Sequence, residues 1–279
     1  MSLVVKIGGA AGIGTNAPLL EDLARVAAQQ SQLAIVHGGS DATNRLQEQL
    51  GAPARFLESP SGQTSRRTDR SDLEAFAMAT GLINRQLVEQ LLGLGVRAFG
   101  CSGLDGGLVR GQRKAVVRAV ENGRTRMIRD QWTGRPQEVD TSLLGALLGA
   151  GQVPVIAPLV AGAAGEMLNT DGDRLAASLA MGLKAETLVI LTNVPGLLED
   201  PERPDSLISH VPEAELERAE NFAKGRMRKK ILGAREALTG GVQRVILADA
   251  RVANPVSSAL AGNGTVIGAE LGRLIGSVG

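Results

Sequence analysis

Short apolar runs alternate with amphipathic segments along most of the 279-residue chain, and this alternation strongly constrains its fold. Apolar runs of four to six residues predict strands, and apolar residues at three- and four-residue steps predict helices. The expected strands are 3–7, 33–36, 96–100, 153–157, 187–191 and 242–247, and the expected helices are 18–29, 41–50, 71–92, 142–148, 171–181 and 226–238. Such alternation is typical of parallel βαβ units. We therefore expect an α/β fold with an open, mainly parallel sheet between helices.

One stretch breaks the alternation and predicts a separate β-rich feature. Residues 107–130 consist of short extended pieces that favour hairpins. With the following residues they form what we call the basic flap, residues 107–135. We expect an amino-terminal lobe over 1–184 that includes the basic flap, a carboxy-terminal lobe over 185–268 and a tail over 269–279.

Two of the expected helices begin with capping-box spacing. Ser71 and Glu74 have this spacing at the start of the long helix, and Thr170 and Asp173 have it at the start of the fifth. On spacing alone, Asp173 is as much a helix cap as a catalytic residue.

Composition excludes several classes of protein. A formal net charge of +1, no Tyr, one Trp and four Phe disfavour a stacking platform for nucleic acid. Cys101 is the single cysteine, which excludes an intrachain disulfide and fits a reducing compartment. Lys6 and the glycines after it interrupt the first apolar run, and residues 152–165 are too short to span a membrane. We expect a cytoplasmic protein without nucleic-acid or membrane partners.

Glycine-rich turns follow several of the predicted strands. Ligands of open α/β sheets bind at the carboxyl ends of the strands, where backbone N–H groups can surround an anion. The first two strands end in glycine pairs, which predict a phosphate site, although glycine is also an ordinary strand-to-helix connector. The turns are Gly8-Gly9, Gly38-Gly39, Ser102-Gly103 and the segment 193–196.

Lys6 precedes its glycines, and this order excludes the common phosphate-binding motifs. A P-loop needs its lysine after the glycines, at the start of the helix. A dinucleotide fingerprint over 12–17 begins too far beyond the strand, and no acidic residue ends the second strand. If the first strand is buried on both faces, Lys6 needs an anionic partner, because an unpaired buried ammonium is costly. The alternative is an edge strand with Lys6 in solvent.

A second group of cations begins the last long helix. Spacing does not choose among Arg226, Arg228, Lys229 and Lys230, and the alternative is a solvated helix face.

Six motifs, taken in order, resemble the amino-acid kinase superfamily and its acetylglutamate kinase branch over residues 4–267. They are K-x-G-G at 6–9, H-G-G at 37–39, R-x-T-D at 66–69, S-G-x-D-G-G at 102–107, N-x-D-x-D at 169–173 and M-x-x-K at 227–230. The resemblance implies a kinase with the amino-acid kinase fold. It also implies a homodimer formed through the helix 71–92.

The resemblance assigns roles to individual residues. Lys6 and Lys230 would flank the transferred phosphoryl group, and Asp173 would organise the two lysines. The phosphoryl group and the acceptor would be bound by Gly8, Gly9, Gly38, Gly39 and Ser40, with Arg66 and Asn169 on the acceptor's α-carboxylate. The carboxy-terminal lobe would bind ATP, which carries Mg²⁺, through Thr192, Asn193, Gly196 and Asp249.

The implied chemistry is consistent with this set of residues. A side-chain carboxylate has a pKa of about 4.3 in water, so the acceptor is already a nucleophile at neutral pH and needs no general base. Phosphoryl transfer then depends on alignment and on neutralising the charge of the migrating group. A lysine at a strand end, ahead of the glycines, would reach a phosphoryl group that moves between two lobes.

Two segments depart from plain acetylglutamate kinases. The patterns G-Q-x-S-R-x-T-D at 62–69 and G-R-M-x-x-K at 225–230 are similar to a sister group. Its members phosphorylate 2-aminoadipate attached through its amino group to a small acidic amino-group carrier protein, in lysine biosynthesis. The alternatives are an acetylglutamate kinase acting on a free molecule, an enzyme that serves both pathways, and a non-catalytic amino-acid sensor with this fold.

Charge patterning in the basic flap fits an acidic partner. Between residues 110 and 135 there are eight basic residues and two acidic ones, Glu121 and Asp130, in a chain of net charge +1. Such a patch would steer an acidic carrier. The expected carrier contacts are Arg110, Arg113, Lys114 and Arg118. The alternative is a solvated hairpin whose arginines pair with acids elsewhere.

Overall fold

The computed structural model describes residues 2–9, 16–30, 32–60, 62, 64–121, 124–203 and 205–270. Most of the expected tail lies outside the described residues. The strands are β1 (Ser2–Ile7), β2 (Gln32–His37), β3 (Phe56–Glu58), β4 (Thr64–Arg66), β5 (Ala98–Gly103), β6 (Val109–Arg113), β7 (Val117–Glu121), β8 (Arg124–Ile128), β9 (Gly134–Val139), β10 (Val153–Ala161), β11 (Met167–Asn169), β12 (Thr187–Thr192), β13 (His210–Val211), β14 (Arg244–Asp249) and β15 (Thr265–Gly268). The helices are α1 (Ala17–Gln29), α2 (Ser40–Gln49), α3 (Arg70–Gly93), α4 (Thr141–Gly149), α5 (Gly172–Gly182), α6 (Leu216–Glu220), α7 (Arg226–Thr239) and α8 (Pro255–Leu260).

Eleven strands form one open sheet, which confirms the predicted α/β class. Its main path runs β13-β15-β14-β12-β1-β2-β10-β6-β9, with β5 and β11 also paired to β10. The central strands β14, β12, β1, β2 and β10 are parallel to one another. The carboxyl ends of these strands therefore meet at one edge of the sheet, where ligands of open α/β sheets bind.

Helices cover both faces of the sheet, and β1 shows why. Val4 packs with the buried residues of α5 and α7, whereas Leu3 and Val5 pack with those of α1 and α8 on the other face. Side chains alternate between the two faces of a strand, so a strand buried on both faces reads as a continuous apolar run. Lys6 shares the face of Val4 and therefore points toward α5 and α7.

The residues that cap α3 and α5 differ from the predicted ones. The capping box of α3 joins Asp69 and Asp72, not Ser71 and Glu74, since each Asp side chain accepts from the backbone N–H of the other. The N-cap of α5 is Asp171, whose carboxylate accepts from the N–H groups of Asp173 and Arg174. Asp173 therefore does not cap α5, and its side chain is available for other contacts.

The basic flap contains the hairpins that its sequence predicts. β7 and β8 form an antiparallel hairpin that continues the small sheet β4-β3-β7-β8, whereas β6 and β9 pair at the edge of the main sheet. The flap is attached to the segment after β4, because Trp132 N–H donates to the Thr68 carbonyl and Gln131 Oε1 accepts from Thr68 N–H.

None of the helices in the described part of the chain combines the length and the apolarity that crossing a membrane requires.

Candidate active site

Three buried charged side chains meet at the carboxyl end of β1. Lys6 Nζ lies 2.7 Å from Asp173 Oδ1, and Lys230 Nζ donates a hydrogen bond of 3.1 Å to Asp173 Oδ2. Only 6%, 7% and 9% of Lys6, Asp173 and Lys230 is exposed. One carboxylate thus holds two ammonium groups together.

The fold brings these three residues together from distant parts of the sequence. Lys6 is the last but one residue of β1, Asp173 is in the first turn of α5, and Lys230 is in the first half of α7. β1 lies between β2 and β12 in the middle of the sheet, which excludes the alternative of an edge strand with Lys6 in solvent. The anionic partner predicted for Lys6 is Asp173.

The two lysines keep the Asp173 carboxylate ionised. Burial acts to raise the pKa of Asp173, but the charges of Lys6 and Lys230 outweigh burial and hold this pKa well below its usual range. Burial lowers the pKa of Lys230, the charge of Lys6 acts in the same direction, and Asp173 opposes both. Two cations against one carboxylate leave an excess of buried positive charge that suits a phosphoryl group.

The two glycine turns pack directly on one another beside this cluster. A Cβ on Gly9 would lie 2.7 Å from the Gly39 nitrogen, and a Cβ on Gly38 would lie 2.6 Å from Gly9. Ser40 Oγ donates to the Gly9 carbonyl at 3.1 Å, and Gly38 N–H donates to the Ile7 carbonyl at 3.0 Å. Any side chain would force the turns apart. The structure thus brings together the predicted phosphate-binding glycines.

The two residues predicted to hold the acceptor's α-carboxylate end short strands of different sheets, Arg66 on β4 and Asn169 on β11. The Arg66 guanidinium donates to the Ser40 carbonyl at 3.1 Å and to Gln47 Oε1 at 2.6 Å, and burial lowers its pKa. Asn169 ends β11, just before the cap of α5, and its Nδ2 donates to Thr68 Oγ1 at 3.3 Å. Arg66 therefore lies beside the glycine turns, and Asn169 beside Asp173 in the chain.

The residues predicted to bind ATP lie at the ends of the adjacent strands. Thr192 ends β12 opposite Asp249, which ends β14. The Asp249 carboxylate accepts two hydrogen bonds from the Arg251 side chain, at 2.8 and 2.7 Å, which lower its pKa. Asn193 is exposed, whereas Gly196 is buried, and a Cβ there would lie 2.5 Å from Thr265 Oγ1. Gly196 thus has a packing role that the sequence did not indicate.

The predicted carrier contacts differ in exposure. Arg110, Lys114 and Arg118 are exposed. Arg113 is half-buried: its guanidinium lies 3.7 Å from the Trp132 ring centre, and its Nε donates to the Gln131 carbonyl. Although much of the Lys114 side chain is exposed, partial loss of solvent around it lowers its pKa, and the charges of Arg174 and Arg135 act in the same direction.

Arg135 and Arg174 were not among the predicted site residues, yet they connect the flap to α5 and α7, the helices that carry Asp173 and Lys230. Both donate to Glu236 Oε1 on α7, at 2.9 and 3.0 Å. A cleft of about 730 Å³ between β9, α5 and α7 is lined by these three side chains. Arg135, Arg174 and Glu236 lie more than 30 positions apart in the sequence, so no local motif indicated that they interact.

Comparison with known proteins places this architecture in a family. The sequence profile of the amino acid kinase family matches residues 1–249. A [LysW]-aminoadipate kinase from Deinococcus radiodurans is 50% identical over 95% of this chain and 91% of its own length. A protein of the same name from Thermus thermophilus is 48% identical over 95% of this chain and 99% of its own length.

Solved structures show the same fold. An N-acetylglutamate synthase from Neisseria gonorrhoeae, complexed with coenzyme A and N-acetyl-glutamate, is 26% identical and superposes with a TM-score of 0.78. The match covers 96% of this chain but 59% of that longer one. A carbamate kinase from Giardia lamblia bound to AMP-PNP shares the fold at 17% identity, with a TM-score of 0.64 over 95% of this chain and 98% of its own. The chain belongs to the amino acid kinase family.

Proposed function

We propose that this protein transfers the γ-phosphoryl group of ATP to the side-chain carboxylate of 2-aminoadipate attached through its amino group to an acidic carrier protein. The product is an acyl phosphate, an intermediate of lysine biosynthesis. The observation that carries the proposal is the buried cluster of Lys6, Asp173 and Lys230 beside two interlocked glycine turns. The names of the two most identical relatives cited above support the choice of acceptor.

The chemistry follows from charge and position. A carboxylate oxygen of the acceptor attacks the γ-phosphorus, a P–O bond forms, and the bond to the ADP oxygen breaks. Negative charge spreads over the migrating group, and Lys6 and Lys230 neutralise it from two sides. Asp173 holds both ammonium groups in place before the substrates bind, so little reorganisation is needed during transfer. The N–H groups of the glycine turns, apart from that of Gly38, which donates to the Ile7 carbonyl, would add further donors.

Nucleotide binding is proposed at the ends of β12 and β14. Thr192 and Asp249 end these two strands, and Asn193 and Gly196 follow β12, which pairs with β1. The described residues include no group of three or more His, Cys, Asp or Glu side chains that could hold a metal ion. Mg²⁺ would be held mainly by the ATP phosphates, as is usual for this ion, and would neutralise part of their charge.

The basic flap supports a carrier-linked acceptor. Arg110, Lys114 and Arg118 are exposed, and Arg135 of the flap shares Glu236 with Arg174, the residue that follows Asp173 in α5. An acidic carrier would be attracted to this surface while its attached side chain enters the site. Arg66 and Asn169 are the proposed contacts to the acceptor's α-carboxylate. A free small acceptor, such as N-acetylglutamate, would not need this surface.

The acceptor is tested by measuring ADP release with carrier-linked 2-aminoadipate, carrier-linked glutamate and free N-acetylglutamate. We expect kcat/KM to be at least about 100-fold higher with the carrier-linked substrates. Equal or higher kcat/KM with N-acetylglutamate would support the alternative, acetylglutamate kinase. ADP release with none of the acceptors, together with tight amino-acid binding, would support the sensor.

A homodimer through α3 is part of the proposal. Met78, Leu82 and Leu92 on α3 and Phe99 on β5 are large apolar side chains with exposed fractions between 44% and 61%. A second copy of the chain would cover this apolar surface. We expect sedimentation analysis to give a dimer that Leu82→Asp dissociates; a monomeric wild-type protein would contradict this. We also propose a cytoplasmic location without nucleic-acid partners, which the single Cys101 and the scarcity of aromatic residues support.

A further inference from the structure

His37 is a buried titratable residue that the proposed transfer does not use. It ends β2, directly before Gly38 and Gly39, and only 1% of it is exposed. Its Nδ1 lies 2.9 Å from the Gly38 carbonyl oxygen, and its Nε2 lies 3.2 Å from Asn84 Nδ2 on α3. Both ring nitrogens therefore have partners.

These contacts determine which nitrogen carries the proton. Asn84 Nδ2 lies 2.8 Å from the Val155 carbonyl oxygen and 3.3 Å from that of Cys101, so this atom is the amide nitrogen and a donor. Facing a donor, His37 Nε2 must accept. The neutral ring then carries its proton on Nδ1 and donates it to the Gly38 carbonyl.

The Gly38 carbonyl belongs to the same peptide unit as the Gly39 N–H. In a planar trans peptide the C=O and N–H bonds point in opposite directions. Holding the carbonyl oxygen toward His37 therefore directs the Gly39 N–H away from His37. The Gly39 nitrogen faces Gly9, since a Cβ on Gly9 would lie 2.7 Å from it.

Helix α3 supports the turn at a second point, one helical turn from Asn84. A Cβ on Gly39 would lie 2.5 Å from Thr80 Cγ2, so α3 packs against the backbone of Gly39. Thr80 and Asn84 are four residues apart on one face of α3, and both are buried. The turn between β2 and α2 is thus held by one face of a long helix.

We propose that His37 is a positioning residue: through the Gly38–Gly39 peptide it aims the Gly39 N–H at the migrating phosphoryl group, and Asn84 fixes the tautomer that does so. The proposal rests on the phosphate-binding role given to Gly39 above. His37 touches neither substrate and transfers no proton to the reacting atoms. A rotated peptide would remove one donor from the transition state, an effect of about 10²-fold for similar donors.

The first test is the protonation pattern of the His37 ring. The chain has two histidines, so ring nitrogen NMR of the full-length protein, with His210→Asn for assignment, resolves His37. We expect a neutral ring at pH 7 with its proton on Nδ1. In Asn84→Asp an ionised carboxylate would accept where the amide donated, and we then expect the proton on Nε2 or a charged ring. A proton on Nε2 in the wild-type protein would overturn the proposal.

The second test separates positioning from folding. With carrier-linked 2-aminoadipate, His37→Leu and Asn84→Asp should lower kcat by about 10- to 100-fold, with KM for ATP within about twofold. His37→Asn keeps an N–H near the Gly38 carbonyl and should recover most of kcat. Gln49→Glu, an exposed amide-to-acid change on α2, is the matched control and should leave kcat unchanged.

Three outcomes would overturn the proposal. The first is a kcat within twofold of wild type in His37→Leu, and the second is equal impairment of His37→Asn and His37→Leu. The third is a melting temperature that falls in proportion to kcat across all the variants, because a structural role alone would produce it. If the wild-type protein turns over no carrier-linked substrate, the proposed function fails instead, and the NMR test of the tautomer still stands.

Discussion

The molecule uses positive charge in two contrasting ways. Lys6 and Lys230 are buried on one carboxylate, within 3.1 Å of it, whereas Arg110, Lys114 and Arg118 on the basic flap are exposed. Buried charges interact strongly and are screened little by salt, so they suit a reacting group at a fixed position. Exposed charges contribute little to stability but act over a Debye length, so they suit the capture of a partner. Four measurements test whether the buried lysines act on the reacting group and the exposed flap residues on the partner.

Asp173→Asn should have the largest effect, because it leaves two buried ammonium groups without their carboxylate. Removing one partner of a buried ion pair costs about 3–5 kcal/mol in the free energy of unfolding. Urea denaturation at fixed protein concentration measures the loss. Glu74→Gln, which removes an exposed pair with Arg70, is the control and should cost about 0.5 kcal/mol or less. Similar losses in the free energy of unfolding for both variants would mean that buried and exposed charges do not differ in the way described.

Lys6→Ala and Lys230→Ala should each lower kcat by about 10³-fold, since each removes a cation from the migrating phosphoryl group. Steady-state ADP release checks this, with circular dichroism to confirm folding. Lys229→Ala is the matched control on the same helix and should keep kcat within about twofold. Full activity of either lysine variant would refute the proposed role of the cluster.

A buried titratable side chain, His37, also makes stability depend on pH. Burial lowers the pKa of His37 to about 4, with the charge of Lys6 contributing and the hydrogen bond to Gly38 opposing. Between pH 6.5 and 4 the unfolded chain protonates this ring and the folded chain does not, so stability falls as pH falls through this window. The loss is about 3 kcal/mol by linkage. His37→Asn should show a flatter profile of unfolding free energy between pH 6.5 and 4; an unchanged slope would contradict the assignment.

The basic flap should give the smallest effect and the one most sensitive to salt. Reversing Lys114 and Arg118 to Glu should raise KM for the carrier-linked substrate about 10-fold at low ionic strength, without changing kcat. At about 1 M salt the difference should largely disappear. Arg203→Glu, an exposed reversal in the loop 200–205, is the control. An effect that persists at high salt would mean that these residues act by contact rather than by steering.

Hydrophobic periodicity predicted the sheet and its long helices well, because burial on one or both faces leaves a pattern in the sequence. The three-residue strands β3, β4 and β11 were not predicted, because so short a segment shows no recognisable hydrophobic periodicity. The start of α3 shows a further limit. Ser71…Glu74 and Asp69…Asp72 have the same spacing, and the choice depends on tertiary contacts: Gln47 and Arg55 both bind the Asp72 carboxylate.

The motifs gave the residues of the candidate site but not its supports. Lys6, Asp173 and Lys230 were identified through a family resemblance, and the structure adds the contacts that join them. Asn84 was missed because its partners, His37 and the Val155 carbonyl, lie 47 and 71 residues away, so no local spacing reports them. Arg135 and Arg174 were missed as supports for the same reason, because their shared partner Glu236 lies 101 and 62 residues away.

The most direct test of the central claim is to identify the carboxylate that is phosphorylated. Wild-type protein, ATP and carrier-linked 2-aminoadipate would be incubated with hydroxylamine, which converts an acyl phosphate into a hydroxamate, and the carrier would be analysed by tandem mass spectrometry. We predict one hydroxamate, on the side-chain carboxylate of the attached 2-aminoadipate, and none with Lys6→Ala. A hydroxamate formed on free N-acetylglutamate but not on the carrier would contradict the account.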